Sequence, residues 1–172
     1  MPSKAAFYDI MAPMVKPVDE KPSIDHRALK RLINHIIEGG IYGIFILGTT
    51  GEESSLSYGQ RKVLIKNSAH FINNRIPFWV GITDTSFQKS IELANFAAQC
   101  GAKAVVAAPP FYMPIEQSEL INYYHYLANA CKLTLYLYNI PSLTKIEIST
   151  ETVKQLAALR NIWGIKYSSN KI

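Results

Sequence analysis

Along almost its whole length the sequence alternates short apolar runs with helix-length amphipathic segments, and this alternation restricts the fold more than any other feature. The runs cover residues 10–15, 42–47, 78–82, 104–108, 133–138 and 162–165. They lack the period-two polarity of half-exposed strands, so they read as strands buried on both faces. Five helical segments lie between them. The first, residues 23–38, carries Ile24, Leu29, Leu32, Ile33, Ile36 and Ile37 at helical spacing and stops at Gly39-Gly40, a C-terminal signal. Ser57 with Gln60 predicts a capping box on the second, which Asn73 closes; Thr85 or Ser86 caps the third and Ser149 or Thr150 the fifth. The fourth, residues 116–130, is rich in aromatic side chains. Six strands joined by five helices form a repeated βα unit, and therefore a parallel sheet with right-handed crossovers.

Two architectures offer that sheet: an open doubly wound sheet and a (β/α)8 barrel. No GxGxxG follows the first strand, which counts against a dinucleotide-binding open sheet. A barrel needs eight units and typically about 250 residues, and these 172 residues supply six strands.

Composition narrows the function. At 48% hydrophobic and 18% charged residues, the chain is globular material for one core. Its formal charge of +5 is spread along the sequence without a basic block, so neither nucleic acid nor a membrane surface is an expected partner. No apolar run approaches the roughly 18 residues that a bilayer span requires, and residues 1–9 do not read as a signal peptide. Cys100 and Cys131 form no CxxC pair, which fits a reducing compartment; both fall near helix ends as packing residues, and a cytoplasmic location is expected. His26, His35, His70 and His125 lack metal-ligand spacing, so no metal site is expected.

Parallel α/β architectures place ligands at the carboxyl ends of their strands. The conspicuous residues fall there: Thr49 and Thr50 after the second strand, Phe111 and Tyr112 after the fourth, Tyr138 at the end of the fifth and Lys166 at the end of the sixth. Gly48-Thr49-Thr50-Gly51 is either a plain tight turn or a cradle whose N–H groups and hydroxyls converge on a carboxylate. The Tyr138 phenol either passes a proton to a hydroxyl within reach or is an amphipathic aromatic at a strand end. Lys166 either snorkels out of its strand or, desolvated beside apolar strands, serves as an amine nucleophile toward a carbonyl. Glu52 reads as a structural hydrogen-bond acceptor for its loop. Asp84, Cys100 and the histidines read as ordinary surface or packing residues.

Gly48-Thr49-Thr50-Gly51-Glu52, Pro110-Phe111-Tyr112, Tyr138-Asn139-Ile140-Pro141 and Gly164-Ile165-Lys166, in this order and spacing, resemble the dihydrodipicolinate synthase and N-acetylneuraminate lyase family of pyruvate-dependent class I aldolases. The resemblance spans the chain from its first strand onward. It implies an α/β fold of the (β/α)8 TIM-barrel type, with residues 1–172 as the N-terminal portion of a single barrel domain: about six strands and five helices, a partial barrel. It implies a lyase that forms a pyruvate Schiff base on Lys166 without metal or organic cofactor. Tyr138 would relay protons above it. Gly48, Thr49 and Thr50 would hold the carboxylate, and Tyr112 would join Tyr138 and Thr49 from a neighbouring subunit of a tetramer or dimer. The expected partners are thus pyruvate or a related 2-oxo acid, an aldehyde, and further copies of the chain.

Leu143 stands where the synthase branch carries an arginine for a substrate carboxylate; lyase-branch enzymes are similar to this chain in having leucine there. Lys145 stands where the family commonly has glycine, and Tyr167 where an acidic or polar residue often follows the Schiff-base lysine. Six strands leave two unpaired edges and an open interior. The competing expectation is a catalytically incompetent barrel fragment that binds or interacts without turnover, or does not fold stably.

Overall fold

All six expected strands form, and they pair in chain order. In the computed structural model, which describes residues 10–20 and 23–169, the strands are β1 (Met11–Pro13), β2 (Gly43–Ile46), β3 (Phe78–Gly81), β4 (Ala104–Ala107), β5 (Thr134–Asn139) and β6 (Ile162–Tyr167). Every pairing is parallel and the order is β1-β2-β3-β4-β5-β6. A doubly wound sheet reverses its strand order at a switch point; this sheet never does. It is part of a (β/α)8 barrel, with β1 and β6 as its edges.

The helices are α1 (His26–Glu38), α2 (Tyr58–Ile72), α3 (Phe87–Gln99), α4 (Gln117–Ala130), α5 (Pro141–Thr144) and α6 (Thr150–Ala157). Asp25, two residues later than the expected start, caps α1 by accepting from the amides of Arg27 and Ala28. Ser57 and Gln60 make the expected capping box, and Ser86 and Ser149 cap α3 and α6. Asn73 closes α2 in the left-handed conformation, which Asn tolerates. Beyond the five expected helices, α5 is a single turn led by Pro141, which suits proline because its missing N–H would have no helical partner there. Among the described residues, no helix is long and apolar enough to cross a membrane.

Successive strand residues face opposite sides, and the two sides bury different sets. Ile44 and Ile46 on β2, Val105 and Ala107 on β4, and Leu135 and Leu137 on β5 pack outward into the main core with the helices. Phe45, Val106 and Tyr138 pack inward as a second cluster, against which Trp79 and Tyr136 stack at 4.2 Å between ring centroids.

On β6 the alternation is interrupted. Leu135 pairs with Ile162, but Tyr136 pairs with Gly164, so Trp163 is an extra residue in the ladder. This bulge leaves Trp163 54% exposed, correcting the expectation of a fully buried run. It also changes the parity of everything after it. With Ile162 facing the outer core, an unbroken strand would turn Lys166 outward; past the bulge, Lys166 pairs with the inward Tyr138.

Candidate active site

The carboxyl ends of the strands gather most of the expected residues at one end of the barrel. The Lys166 Nζ lies 3.7 Å from the centroid of the Tyr138 ring and donates to Ser168 Oγ at 3.0 Å. The Tyr138 hydroxyl is 3.3 Å from Thr49 Oγ1, joining the ends of β5 and β2. Lys166 is half-buried, and its ammonium gains cation–π attraction from the ring beneath it. Burial pushes the Tyr138 phenol up, but hydrogen bonding from Lys166, Thr49 and Ser168, with the Lys166 charge, outweighs it and holds the phenol below its ordinary value. A phenol so lowered gives up its proton more readily.

Thr49–Gly51 forms a single 3₁₀ turn, with Gly51 N–H donating to Gly48 carbonyl and Glu52 N–H to that of Thr49. Gly48 is buried where a Cβ would lie 2.5 Å from the Phe45 ring. Leu47, just before it, takes φ +58°, and its carbonyl oxygen would sit 1.9 Å from a Cβ on Gly81. The end of β2 can turn inward only because β3 has no side chain there. Among the described residues, positive-φ residues other than Gly and Asn are Leu47, Glu52, Tyr112 and Lys145. All four follow strand carboxyl ends, where strained backbone commonly accompanies a working site.

Two cavities are lined by these residues. One, about 250 Å³, is lined by Gly48, Thr49, Tyr138 and Leu143, together with Glu53 and Phe111. The other, about 210 Å³, is lined by Lys166. Phe45 and Val106 line both, so the two cavities share a wall, with Tyr138 in the lining of the larger and Lys166, together with Met11, Pro13 and Trp79, in that of the smaller. Thr50 is exposed and outside the cavity lining. Tyr112 is 90% exposed and stands apart from the Tyr138–Thr49 pair, on a backbone at φ +85°.

Four contributors had no sequence signal. Lys16, in the loop after β1, pairs with the Glu52 carboxylate at 3.2 Å and also donates to the Glu52 carbonyl and to Ser55 Oγ. Glu52 therefore is the structural acceptor the sequence suggested, although its partner lies 36 residues away. Arg61 on α2 donates to the carbonyls of Glu53 and Thr83 and to the Asp84 carboxylate at 3.1 Å, tying the loops after β2 and β3 together. Asp84, expected to be ordinary, is thus half of a largely buried ion pair. Ser168 receives Lys166, and Glu53 lines the larger cavity.

The family described as dihydrodipicolinate synthetase matches residues 6–172. The chain belongs to this family. It is 34% identical over 158 residues to the 4-hydroxy-tetrahydrodipicolinate synthase of Ligilactobacillus salivarius, covering 91% of this chain and 54% of that one. The crystal structure of dihydrodipicolinate synthase from Bacteroides thetaiotaomicron superposes with a TM-score of 0.90 at 42% identity, over 95% of this chain and 55% of the other. YagE of Escherichia coli K12, a member of the family whose crystal structure is a complex with pyruvate, superposes at 0.93 with 32% identity, over 97% and 56%. The chain thus spans a little over half the length of these members of the dihydrodipicolinate synthetase family.

Proposed function

We propose that the chain carries the Schiff-base portion of a pyruvate-dependent lyase built on a (β/α)8 barrel domain, whose N-terminal part is residues 1–172. The observation that carries this reading is the Lys166–Tyr138–Thr49 chain of contacts, 3.7 Å and 3.3 Å, at the strand ends. The Lys166 amine, once unprotonated, adds to the C2 carbonyl of pyruvate or a related 2-oxo acid. Tyr138 supplies the proton with which the carbinolamine oxygen leaves as water, and an iminium remains. The Tyr138 phenolate then takes a C3 proton to give the enamine, whose carbon adds to an aldehyde as Tyr138 returns that proton to the aldehyde oxygen; water adds to the resulting iminium and frees Lys166, and cleavage is the reverse. Gly48 and Thr49, which line the larger cavity, hold the carboxylate, with the Thr49 hydroxyl also orienting Tyr138; Thr50, exposed and outside that lining, would have to turn inward to join them. No metal or organic cofactor is required by these steps.

Tyr112 is the residue that a neighbouring copy would contribute, in a dimer or tetramer; its 90% exposure supports a partner outside its own chain. A cytoplasmic setting suits the two free cysteines. Leu143 replaces the bidentate carboxylate contact of an arginine with an apolar side chain, which favours an aldehyde without a carboxylate there. The relative provisionally named 2-dehydro-3-deoxy-D-gluconate aldolase, 34% identical over 167 residues, fits such an acceptor.

Borohydride reduction in the presence of pyruvate tests the reading. Mass spectrometry should find the reduced pyruvate adduct on Lys166 and lose it in Lys166→Ala. A folded chain without the adduct refutes the reading. The outer edges of β1 and β6, which have no partner among the described residues, favour the second reading, a fragment that binds a 2-oxo acid without condensing with it, and retained pyruvate binding in Lys166→Ala with no adduct in the parent chain would select it.

A further inference from the structure

We propose that Glu53 selects the acceptor aldehyde: its carboxylate, in the wall of the larger cavity, accepts hydrogen bonds from a neutral, hydroxylated acceptor and repels an anionic one. The inference rests on the Schiff-base reading only in calling the occupant an acceptor; the selectivity is a property of the cavity itself.

The cavity's lining holds two ionisable side chains, Glu53 and Tyr138, and no lysine, arginine or histidine. An aldehyde bearing a carboxylate would meet a carboxylate and find no cation in the wall. Arg61 is close to Glu53, but the residue is 7% exposed and its guanidinium already serves the Glu53 carbonyl, the Thr83 carbonyl and Asp84. Lys16 is held by Glu52 and Ser55. Neither cation is in the lining, so neither can turn toward a ligand without breaking these contacts. Leu143, opposite in character, closes another part of the wall with an apolar surface.

The hydroxyls of the wall are unevenly available. Thr83 accepts from the Ala108 amide, and Thr144 donates to the carbonyls of Ile140 and Ile146. Thr49 and Tyr138 are engaged with each other at 3.3 Å, which leaves Ser54 and Glu53 as the lining residues whose side-chain oxygens are not spent on wall residues beyond these two. The Glu53 carboxylate accepts from its own amide and that of Ser54. A carboxylate offers about four acceptor sites, so some remain for a ligand hydroxyl. Burial raises its proton affinity against the opposing backbone amides, Arg61 and Lys16. A ligand hydroxyl donating to the carboxylate therefore replaces hydration that the site has already removed.

Two unreactive four-carbon probes test the assignment on the full chain: erythritol, neutral and hydroxylated, and 4-hydroxybutyrate, an anion. Saturation-transfer NMR on the parent chain should show erythritol bound and 4-hydroxybutyrate excluded. In Glu53→Gln, 4-hydroxybutyrate should bind about fivefold better as the repulsion is lifted, and erythritol should weaken. Leu143→Arg, with Glu53 intact, should also admit the anion. Circular dichroism checks that each variant keeps the fold. Preference for the anion in the parent chain, no transfer to either probe, or a preference unchanged in Glu53→Gln overturns the assignment. Pyruvate trapping on the same samples separates the two readings: an adduct with unchanged selectivity removes Glu53 alone, whereas changed selectivity without an adduct removes the Schiff base alone.

Discussion

Tyr138 shows how one side chain takes its character from three strands. Its phenol is lowered although burial alone would raise it, because Lys166 from β6, Ser168 beyond it and Thr49 beyond β2 all favour the phenolate. The linkage follows from that direction. A group whose folded pKa lies below its unfolded value of about 10 stabilises the fold above the unfolded value and loses that contribution as pH falls through the folded one. Below the folded value the phenol is protonated in both states, so the effect there is on proton transfer rather than on stability. Ultraviolet titration of tyrosinate should show a component ionising below 10 that vanishes in Tyr138→Phe and moves upward in Thr49→Val. Tyr58 and Tyr123, each pushed up to about 12 mainly by burial, fall clear of it. An unchanged curve in Tyr138→Phe rules out the assignment. The identities of Tyr138, Thr49 and Lys166 were legible because each stands at a strand end. Their mutual distances were not, since the residues are joined only through folding.

At the scale of elements, the strand β6 decides whether Lys166 can act. Hydrophobic periodicity located the strand but not its bulge: Ile162, Trp163 and Ile165 are all apolar, and an apolar run carries no marker of which residue is extra. Because the face alternates with every residue, the bulge at Trp163 is what brings Lys166 opposite Tyr138. Two variants distinguish register from composition. Deleting Trp163 removes the extra residue and leaves the pairs Gly164 with Tyr136 and Lys166 with Tyr138 available, so pyruvate trapping on Lys166 should persist. Inserting one alanine between Ile165 and Lys166 turns the lysine to the outer face and should reduce trapping by roughly a hundredfold. The opposite ranking would show that the pairing does not position the amine. The loops were less legible than the strands for the same reason: the Lys16 clasp and the Arg61 bridge join residues 36 and 22 positions apart, beyond any local pattern. By contrast, the caps at Ser57, Ser86 and Ser149 act within three residues and could be read directly.

Across the whole molecule, the sheet order follows from the βα repeat, and the inner cluster follows from strand parity once the order is known. What the repeat does not fix is how the two sheet edges are satisfied. Among the described residues β1 and β6 each have one neighbour, and an edge strand presents unpaired N–H and C=O groups to other chains. β6 adds apolar surface to that edge, with Trp163 54% and Tyr167 49% exposed; near β1, Ile10 is 71% exposed. Natural edge strands are usually shielded by charge, by bulges or by a covering element, and here the bulge at Trp163 is the protection present on β6. Residues 1–172 expressed on their own should therefore associate through these edges, with a mass in light scattering that rises with concentration. Trp163→Lys together with Tyr167→Lys places charge on β6 away from the Lys166–Tyr138 contact and should return the mass to that of a monomer. A Tyr112→Ala chain separates this association from the subunit contact proposed at the mouth: it should associate through the edges as the parent does. If the double lysine variant associates as strongly as the parent while Tyr112→Ala is monomeric, the contact lies at the mouth, and the β6 edge is not the adhesive surface.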